Sequence, residues 1–353
     1  MAINSINDLK AVTHASAADF GIDTINKILS ADLAQYNAML VEQMAYLAEP
    51  VTVQSRTFGT SATLDMIEID EFGRAVSKKA SVGETVSFPI HVYQSVLGFT
   101  EKWMQLHTPA ELIERYLQLR RGDSERLLLE VRKAIFNSSN FTQVDPFNGV
   151  SLAVKRLLNA DSTNIPQFGG STFTAASHSH YNVCSGSILD VAGVDDVLSD
   201  VSEHGMTKGL ALFVNSADKA NLSGLSKYTA LSSDLMVYGN SDSTVSKLNR
   251  SDTSNRMIGL WDNQYEIWQK PAQMIPSGYV LAAATGEEEK VLGFRQLEAP
   301  SLQGLRIDAM YSNFPLIAQN AERIAGYGVW NRMGAAVVIS GSVWANPTLT
   351  VSS

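Results

Sequence analysis

Charged residues are scarce in this sequence, and the basic ones are scarcer than the acidic ones. Charged side chains are 18% of the 353 residues, and 27 Lys and Arg stand against 36 Asp and Glu, so the formal net charge is −9. A protein that grips phosphate backbones needs a basic surface, so the composition argues against that function. The chain is 45% hydrophobic, which is the composition of a folded protein, and its length predicts two or three packed units.

Cysteine and long apolar runs are also nearly absent. Cys184 is the single cysteine, so no internal disulfide can form. The longest apolar stretches, Tyr279–Ala284 and Ala335–Ile339, have the length of strands and fall far short of the roughly 20 residues of a membrane span. The N-terminal segment lacks the apolar core of a signal peptide. We therefore expect a soluble protein, made in the cytoplasm, with no membrane partner.

The common catalytic motifs are missing as well. The sequence contains no G-x-x-x-x-G-K-[ST], no H-E-x-x-H and no G-x-S-x-G. His178, His180 and Cys184 are metal-capable, but a structural zinc site needs about four ligands, and this stretch is rich in Ser and Asn. A polar loop is therefore favoured, and a metal-dependent enzyme that uses these three residues is the lesser alternative. We expect no catalytic residue, no cofactor and no metal. The other histidines are scattered and are expected to be exposed or hydrogen-bonded: His14, His91, His107 and His204.

The first 50 residues are typical of an arm that ends in a helix. Apolar residues recur every three or four positions, which predicts one buried stripe. The stripe consists of Leu33, Tyr36, Leu40, Met44 and Leu47. Ser30 or Asp32 is expected to cap the helix, and Pro50 to end it. The stripe could pack in the core of its own chain or dock on a neighbouring molecule, and the sequence leaves both open.

Residues 51–98 predict a long β-hairpin. Two segments rich in β-branched and aromatic residues flank the charged stretch DEFGRAVSKKASVG at 70–83. A lone hairpin is marginal in water. Ordering ~24 residues costs roughly 24–48 kcal/mol of backbone entropy, which burial alone would offset only with on the order of 1,000–2,000 Å² of apolar area. The hairpin must therefore lie on a large surface, and we expect another subunit to supply it.

The stretch from residue 108 to 136 predicts a long helix. Thr108-Pro109-Ala110-Glu111 is a capping box with proline at the first helical position, and Phe136 precedes the breaker NSSN. Such a helix is about 42 Å long, which suits a structural spine. Further on, polar loops alternate with a helix pattern at 191–205 and a buried strand at Leu210–Val214, and more strands close the chain.

The order of these parts resembles the major capsid protein of tailed bacteriophages, which has the Hong Kong ninety-seven fold. The similar stretches are VSFPIHVYQSVLGFTEKWMQLHTPAELIERYLQLRRGDSERLLLEVRKAIFN, LALFVNSADKANLSGL, VLGFRQLEAPSLQGLRIDAM and AERIAGYGVWNRMGAAVV. The last stretch looks like closing strands that contain a Gly-rich turn and an arginine. The resemblance implies an α+β fold with an N-terminal arm (1–50), an extended hairpin loop (51–98), a peripheral domain with the spine helix (99–155), an axial domain (156–304) and a return to the peripheral domain (305–353).

The family implies a function and a set of partners. The chain would self-assemble as hexamers and pentamers into an icosahedral shell around double-stranded DNA, bound without sequence specificity, in the virion. Assembly would occur in the host bacterial cytoplasm with a portal protein, and a decoration protein is a further candidate partner. Only about 50 residues precede the hairpin, so we expect a separate scaffolding protein. An encapsulin-type compartment, which shares the fold, is the alternative.

The hairpin tip carries the expected inter-subunit contacts. These are Phe72, Arg74, Lys78 and Lys79. One branch of the family joins subunits through Lys–Asn isopeptide bonds, for which Lys78 or Lys79 could be the donor. No matching Asn or catalytic Glu is identified in this sequence, so ionic contact with a neighbour is the favoured role of the basic residues.

Overall fold

The computed structural model describes residues 5–58, 68–69, 71, 73, 83–169, 171–230, 256–313 and 316–348. The helices are α1 (Ile6–Lys10), α2 (Ala17–Phe20), α3 (Ile22–Met44), α4 (Glu101–Leu106), α5 (Pro109–Phe136), α6 (Val191–Ser202) and α7 (Lys219–Ser223). The strands up to residue 230 are β1 (Ala48–Val51), β2 (Ser55–Phe58), β3 (Glu84–Ser87), β4 (His91–Thr100), β5 (Phe141–Val144), β6 (Ser151–Val154), β7 (Tyr181–Val183), β8 (Leu210–Asn215) and β9 (Tyr228–Ala230). The later strands are β10 (Arg256–Trp261), β11 (Tyr265–Lys270), β12 (Tyr279–Ala284), β13 (Leu292–Gln296), β14 (Leu305–Asn313), β15 (Leu316–Val329) and β16 (Ala335–Ile339).

Two sheets organise the described part of the chain. The five-stranded sheet runs in the order β1-β13-β15-β14, with β4 also paired to β15. The seven-stranded sheet has the order β7-β16-β12-β8-β11-β10-β9. Two short antiparallel pairs, β2–β3 and β5–β6, stand apart from them. Among the described helices, none is long and apolar enough to cross a bilayer.

Helix α5 is the predicted spine, with the predicted ends. The capping box is formed, because Glu111 accepts from the backbone N–H of Thr108 at 3.1 Å. Its C-terminal half enters the core that also holds residues of both sheets. The buried apolar residues of that half are Leu127, Leu129, Val131, Ala134, Ile135 and Phe136.

The arm helix α3 is longer than predicted and packs on its own chain. It begins at Ile22 rather than at a cap on Ser30 or Asp32, and Pro50 lies in β1 instead of ending the helix. Asp32 accepts a hydrogen bond from Tyr116 Oη at 2.8 Å. The apolar stripe, with Leu33 and Tyr36, packs against residues of α4 and α5. The choice left open by the sequence is thus resolved in favour of the chain's own core.

The predicted hairpin divides into two parts. β2 and β3 pair antiparallel from Ser55↔Ser87 to Phe58↔Glu84, as a hairpin base requires. The expectation that the hairpin continues to residue 98 is wrong, because β4 leaves it and pairs with β15 from His91↔Ala325 to Thr100↔Leu316. Pro89 lies at the division, where its missing N–H interrupts a ladder.

Two glycines of β15 make room for this division. A Cβ at Gly326 would overlap with the carbonyl oxygen of Pro89, and one at Gly328 would lie 2.9 Å from Pro89 Cδ. The GYG sequence at 326–328 lies within β15 and pairs with β13. Its glycines are needed for the close approach of another segment.

Two sets of strand pairs cross the predicted boundary between residues 304 and 305. β13 was expected in the axial domain, but it lies between β1 and β15 of the five-stranded sheet. β16 was expected in the return to the peripheral domain, but it pairs with β12 and β7 and completes the seven-stranded sheet. Sequence position alone could not assign these strands, because each sheet recruits strands that are far apart in the chain.

Candidate functional site

The described residues of the predicted hairpin are those of its base, β2 and β3. Phe72, Arg74, Lys78 and Lys79 lie outside the described residues, so their contacts stay a prediction. The last described pair on the way to the tip is Phe58↔Glu84. The residues that fix β2 and β3 therefore show how the chain holds the base from which the tip extends.

A small apolar cluster joins the hairpin base to the loop that follows β6. Phe58 and Val86 pack with Leu158 and Ile165, and all four are buried. Burial of one such side chain contributes about 1.5–3 kcal/mol before conformational entropy is subtracted. Four of them therefore help to fix the eight residues of β2 and β3.

Charged groups link the hairpin base to the loop that follows β6. Lys155 Nζ lies 3.4 Å from Glu84 of β3 and 2.9 Å from Asp161 of the loop. Thr163 Oγ1 donates a hydrogen bond to the same Glu84 carboxylate at 3.1 Å. These contacts hold the first residue of β3, on the same face of the strand as the buried Val86.

Arg332 holds this loop from inside the protein. Its side chain is fully buried, and its Nε donates to the carbonyl oxygen of Arg156 at 2.6 Å. Its Nη2 donates to the carbonyl oxygen of Leu157 at 3.2 Å and to Asp161 at 3.1 Å. Burial alone would raise the pKa of Asp161, but the charge of Arg332 and the hydrogen bond from Lys155 outweigh it, so that pKa lies below its usual range. We call Glu84, Lys155, Asp161 and Arg332 the hairpin anchor.

A second buried arginine fixes the point where the chain leaves the hairpin. Arg295 Nη1 donates to the carbonyl oxygen of Phe88 at 2.9 Å, and Nη2 contacts Asp145 at 2.5 Å. Gln54 also donates to Asp145, at 3.2 Å. The segments on either side of the hairpin base are thus tied to the chain's own core.

A groove lies between β4 and helix α5. A cavity of about 660 Å³ separates β4 from α5 and is lined by Tyr93, Leu97, Arg115 and other residues of these elements. Val92 and Val96 of β4 are 48% and 58% exposed. Single exposed apolar residues are ordinary on protein surfaces, so these two valines assign no function to the groove.

A cluster of histidines forms the most concentrated chemistry in the described part of the chain. His178 and His180 precede β7, while Glu203 and His204 follow α6. Their Nε2 atoms converge, with separations of 3.2 Å for His178–His180, 3.0 Å for His178–His204 and 3.1 Å for His180–His204. Glu203 Oε1 lies 3.3 Å from His178 Nε2. These four side chains are called the histidine cluster below.

The surroundings of the histidine cluster keep its imidazoles neutral. Burial lowers the pKa of all three, that of His204 to about 4. Burial also raises the pKa of Glu203. The ring of Phe173 packs against His204 with the centroids 4.3 Å apart. Neutral imidazoles with free lone pairs are the form in which histidine binds metals.

Sequence reasoning identified only half of this cluster. His204 was expected to be exposed or hydrogen-bonded and was not connected with His178 and His180, whereas the structure places its Nε2 atom 3.0 and 3.1 Å from theirs. Cys184 does not converge with the histidines, because it lies in the apolar core beneath α6 and next to Asp190. The metal-dependent enzyme built on His178, His180 and Cys184 is therefore not supported by the geometry. The predicted helix at 191–205 could have provided the signal, because Glu203 and His204 lie at its C-terminal end. The sequence did not show that this end packs beside His178 and His180.

Comparisons with known proteins complete the description. No protein-family model matches the chain, and no curated protein does. Its structure is similar to that of a protein of Mycobacterium phage Patience, with a TM-score of 0.66 and 20% identity over 99% of this chain and 96% of that one. A protein of Gordonia phage Cozz matches with 12% identity over 86% of this chain and 87% of that one, at a TM-score of 0.47. Both are phage capsid structures.

The chain has the phage capsid fold. The predicted α+β class of the Hong Kong ninety-seven type is thereby confirmed. The holo-SrpI encapsulin of Synechococcus elongatus also matches, with 13% identity over 86% of this chain and 88% of that one, but its TM-score is 0.42.

Proposed function

We propose that this chain is the major capsid protein of a tailed bacteriophage. It would assemble as hexamers and pentamers into an icosahedral shell that encloses double-stranded DNA. The observation that carries the proposal is the similarity to the Patience protein, because it covers 99% of the chain and so includes the arm, the hairpin region and both sheets. Such a chain acts as a building element and catalyses no reaction.

The hairpin supports the same proposal through its energetics. Its base is fixed by four buried apolar residues and the hairpin anchor. A projecting tip would need a large surface to order it, and a neighbouring copy is the natural source. Phe72, Arg74, Lys78 and Lys79 are the proposed contacts with that neighbour.

The remaining partners follow from the same proposal. A separate scaffolding protein and a portal protein would direct assembly in the bacterial cytoplasm, and a decoration protein could bind the outside of the virion. The formal charge of −9 fits a shell in which DNA moves without adhering. DNA would be enclosed without sequence-specific contacts.

Electron microscopy of a hairpin deletion tests the proposal. Residues 60–82 would be replaced by Asn-Gly, which favours a tight hairpin turn and keeps the β2–β3 pairs. The expected result is a folded protein that forms no closed shells, while the wild type and the exposed-lysine control Lys208→Glu form them with the scaffolding protein. Normal shells from the deletion would refute the assigned interface, and a wild type that never self-associates would refute the function.

Charge reversal sharpens that test. The triple variant Arg74→Glu, Lys78→Glu and Lys79→Glu keeps the hairpin length but repels any acidic partner surface. It should assemble less readily than the wild type, and the defect should depend on salt, because exposed charges are screened at high ionic strength.

The contents of the shell distinguish a phage capsid from an encapsulin-type compartment. Nuclease-protected double-stranded DNA in particles from infected cells is expected, whereas protein cargo would favour the compartment. A denaturing gel of the same particles tests covalent joining through Lys78 or Lys79, and we expect a single monomer band.

A further inference from the structure

The histidine cluster cannot satisfy its own hydrogen bonds. Each Nε2 atom carries either a proton or a lone pair, and three such atoms lie 3.0–3.2 Å from one another. Each Nε2 atom is thus either a donor or an acceptor. Among three atoms that are all adjacent to one another, at least two must be of the same kind, so two protons or two lone pairs face each other. No choice of tautomer or charge removes this conflict, whereas a cation at the centre removes it by accepting all three lone pairs.

The distances fit such a cation. A tetrahedral zinc ion with Zn–N bonds of about 2.0–2.1 Å holds its ligand nitrogens ~3.3 Å apart. The observed separations of 3.0–3.2 Å are close to this value, so one ion can reach all three nitrogens at normal bond length.

One ligand is already oriented by a neighbour. His180 Nδ1 lies 2.7 Å from the carbonyl oxygen of Ala335 in β16, and this oxygen can only accept a hydrogen bond. The proton of His180 is thereby held on Nδ1, and its Nε2 presents a lone pair to the centre of the cluster. Ligand histidines in metal sites usually have such an outer hydrogen bond.

A fourth ligand is present as well. Glu203 Oε1 is buried and has no hydrogen-bond partner among the described residues, although it lies 3.3 Å from His178 Nε2 and 3.8 Å from His204 Nε2. A buried carboxylate oxygen without a donor is costly, and coordination would remove that cost. The donor atoms of all four side chains lie within 4.8 Å of one another.

We propose that His178, His180, Glu203 and His204 form a structural zinc site. Three imidazoles and one carboxylate suit Zn²⁺, and four protein ligands leave no open position for a substrate. The site would join the loop before β7 to the end of α6, two segments that lie more than 20 residues apart in the chain. Its role would be to stabilise this loop region, independently of whether the chain forms shells.

Metal analysis of the untagged full-length protein tests the proposal. Protein purified without chelator, or stripped with a chelator and reconstituted with Zn²⁺, should contain one zinc per chain by mass spectrometry. Reconstitution with Co²⁺ should give the intense visible absorption of four-coordinate cobalt. Zinc should also raise the midpoint of thermal unfolding of the stripped protein.

Variants assign the binding to the cluster. His178→Gln and Glu203→Gln change the two partly exposed ligands and should weaken zinc binding at least tenfold. The exposed control His14→Gln should bind zinc as the wild type does. Zinc content well below one per chain after reconstitution, or a cobalt spectrum of octahedral type, would overturn the proposal even if a ligand variant fails to fold. Equal zinc affinity of wild type and His178→Gln would overturn it too.

Discussion

Apolar burial stabilises the central strands of the seven-stranded sheet, whereas the hairpin base also depends on the ion pairs and hydrogen bonds of the hairpin anchor. Every residue of β8, β12 and β16 is buried, and nearly all are apolar. Among the described residues, the apolar cluster at the hairpin base has four buried members, two of which belong to β2 and β3 themselves, and the hairpin anchor adds charged contacts to it. Apolar burial is additive and not directional. A buried charge network is directional, and each member leaves an uncompensated partner when it is removed.

Two kinds of failure follow from this difference. The sheet should lose stability in proportion to the volume removed, because neighbouring side chains share the loss. The anchor should lose most of its effect with one substitution. A capsid protein that must form its core as a single chain and present a long loop to a neighbour needs both kinds of support.

The largest effect is expected at Arg332. Arg332→Met keeps an unbranched apolar stem but removes the guanidinium that binds the carbonyl oxygens of Arg156 and Leu157 and the Asp161 carboxylate. Breaking a buried ion pair by removing one partner costs about 3–5 kcal/mol. The free energy of unfolding in urea should fall by this amount, while the exposed control Arg121→Met should change it by less than about 0.5 kcal/mol. A loss below 1 kcal/mol would show that the anchor contributes little.

A core truncation in the seven-stranded sheet gives the matching value for apolar burial. Leu281 is fully buried in β12 and pairs with Phe213 on one side and Val337 on the other. Leu281→Ala should lower the free energy of unfolding by about 2–5 kcal/mol, depending on how far the site collapses. Val343→Ala, at a position 75% exposed, is the control and should have almost no effect. A loss from Leu281→Ala that clearly exceeds the loss from Arg332→Met, at equal unfolding cooperativity, would contradict the expectation that a single anchor substitution has the larger effect.

Sequence patterns predicted the elements well where one local signal fixed them. The capping box at Thr108 and the breaker after Phe136 gave both ends of α5, and the apolar runs at Leu210 and Tyr279 gave β8 and β12. Such signals lie within a few residues of the element they define. They needed no knowledge of tertiary contacts.

Long-range pairing was beyond the same reasoning. The sequence could not show that β4 leaves the hairpin for β15, or that Arg332 binds a loop some 175 residues earlier. The histidine cluster was missed for the same reason, since His204 reaches His178 only after α6 packs on the sheet. Side chains that meet through tertiary structure carry no periodic signal in the sequence.

A smaller effect is expected from two glycine substitutions that test how closely Pro89, between β3 and β4, approaches β15. In β15, Gly326→Ala would place a Cβ against the backbone of Pro89, so either the strand or the crossing segment must move. Overpacking of this kind costs about 1–3 kcal/mol. The matched control Gly122→Ala lies in α5 with nothing within 4 Å of the new Cβ, and it should stabilise the protein by about 0.5–1 kcal/mol. Equal effects of the two substitutions would contradict the close approach of Pro89.

Acid offers the finest test, because it weakens the anchor without changing a side chain. The folded state lowers the pKa of Asp161 below its unfolded value of about 3.9, so the stabilisation is complete above about pH 5 and is lost as the pH falls through the folded pKa. Asp161→Asn cannot titrate and should be less stable than the wild type at pH 7. The difference in unfolding free energy should stay constant from pH 7 to about pH 5 and shrink towards pH 3. The buried imidazoles also lose stability in acid, since burial lowers their pKa, but they do so equally in both proteins and cancel in the difference. A difference that stays constant down to pH 3 would mean that the carboxylate charge does not hold the hairpin base.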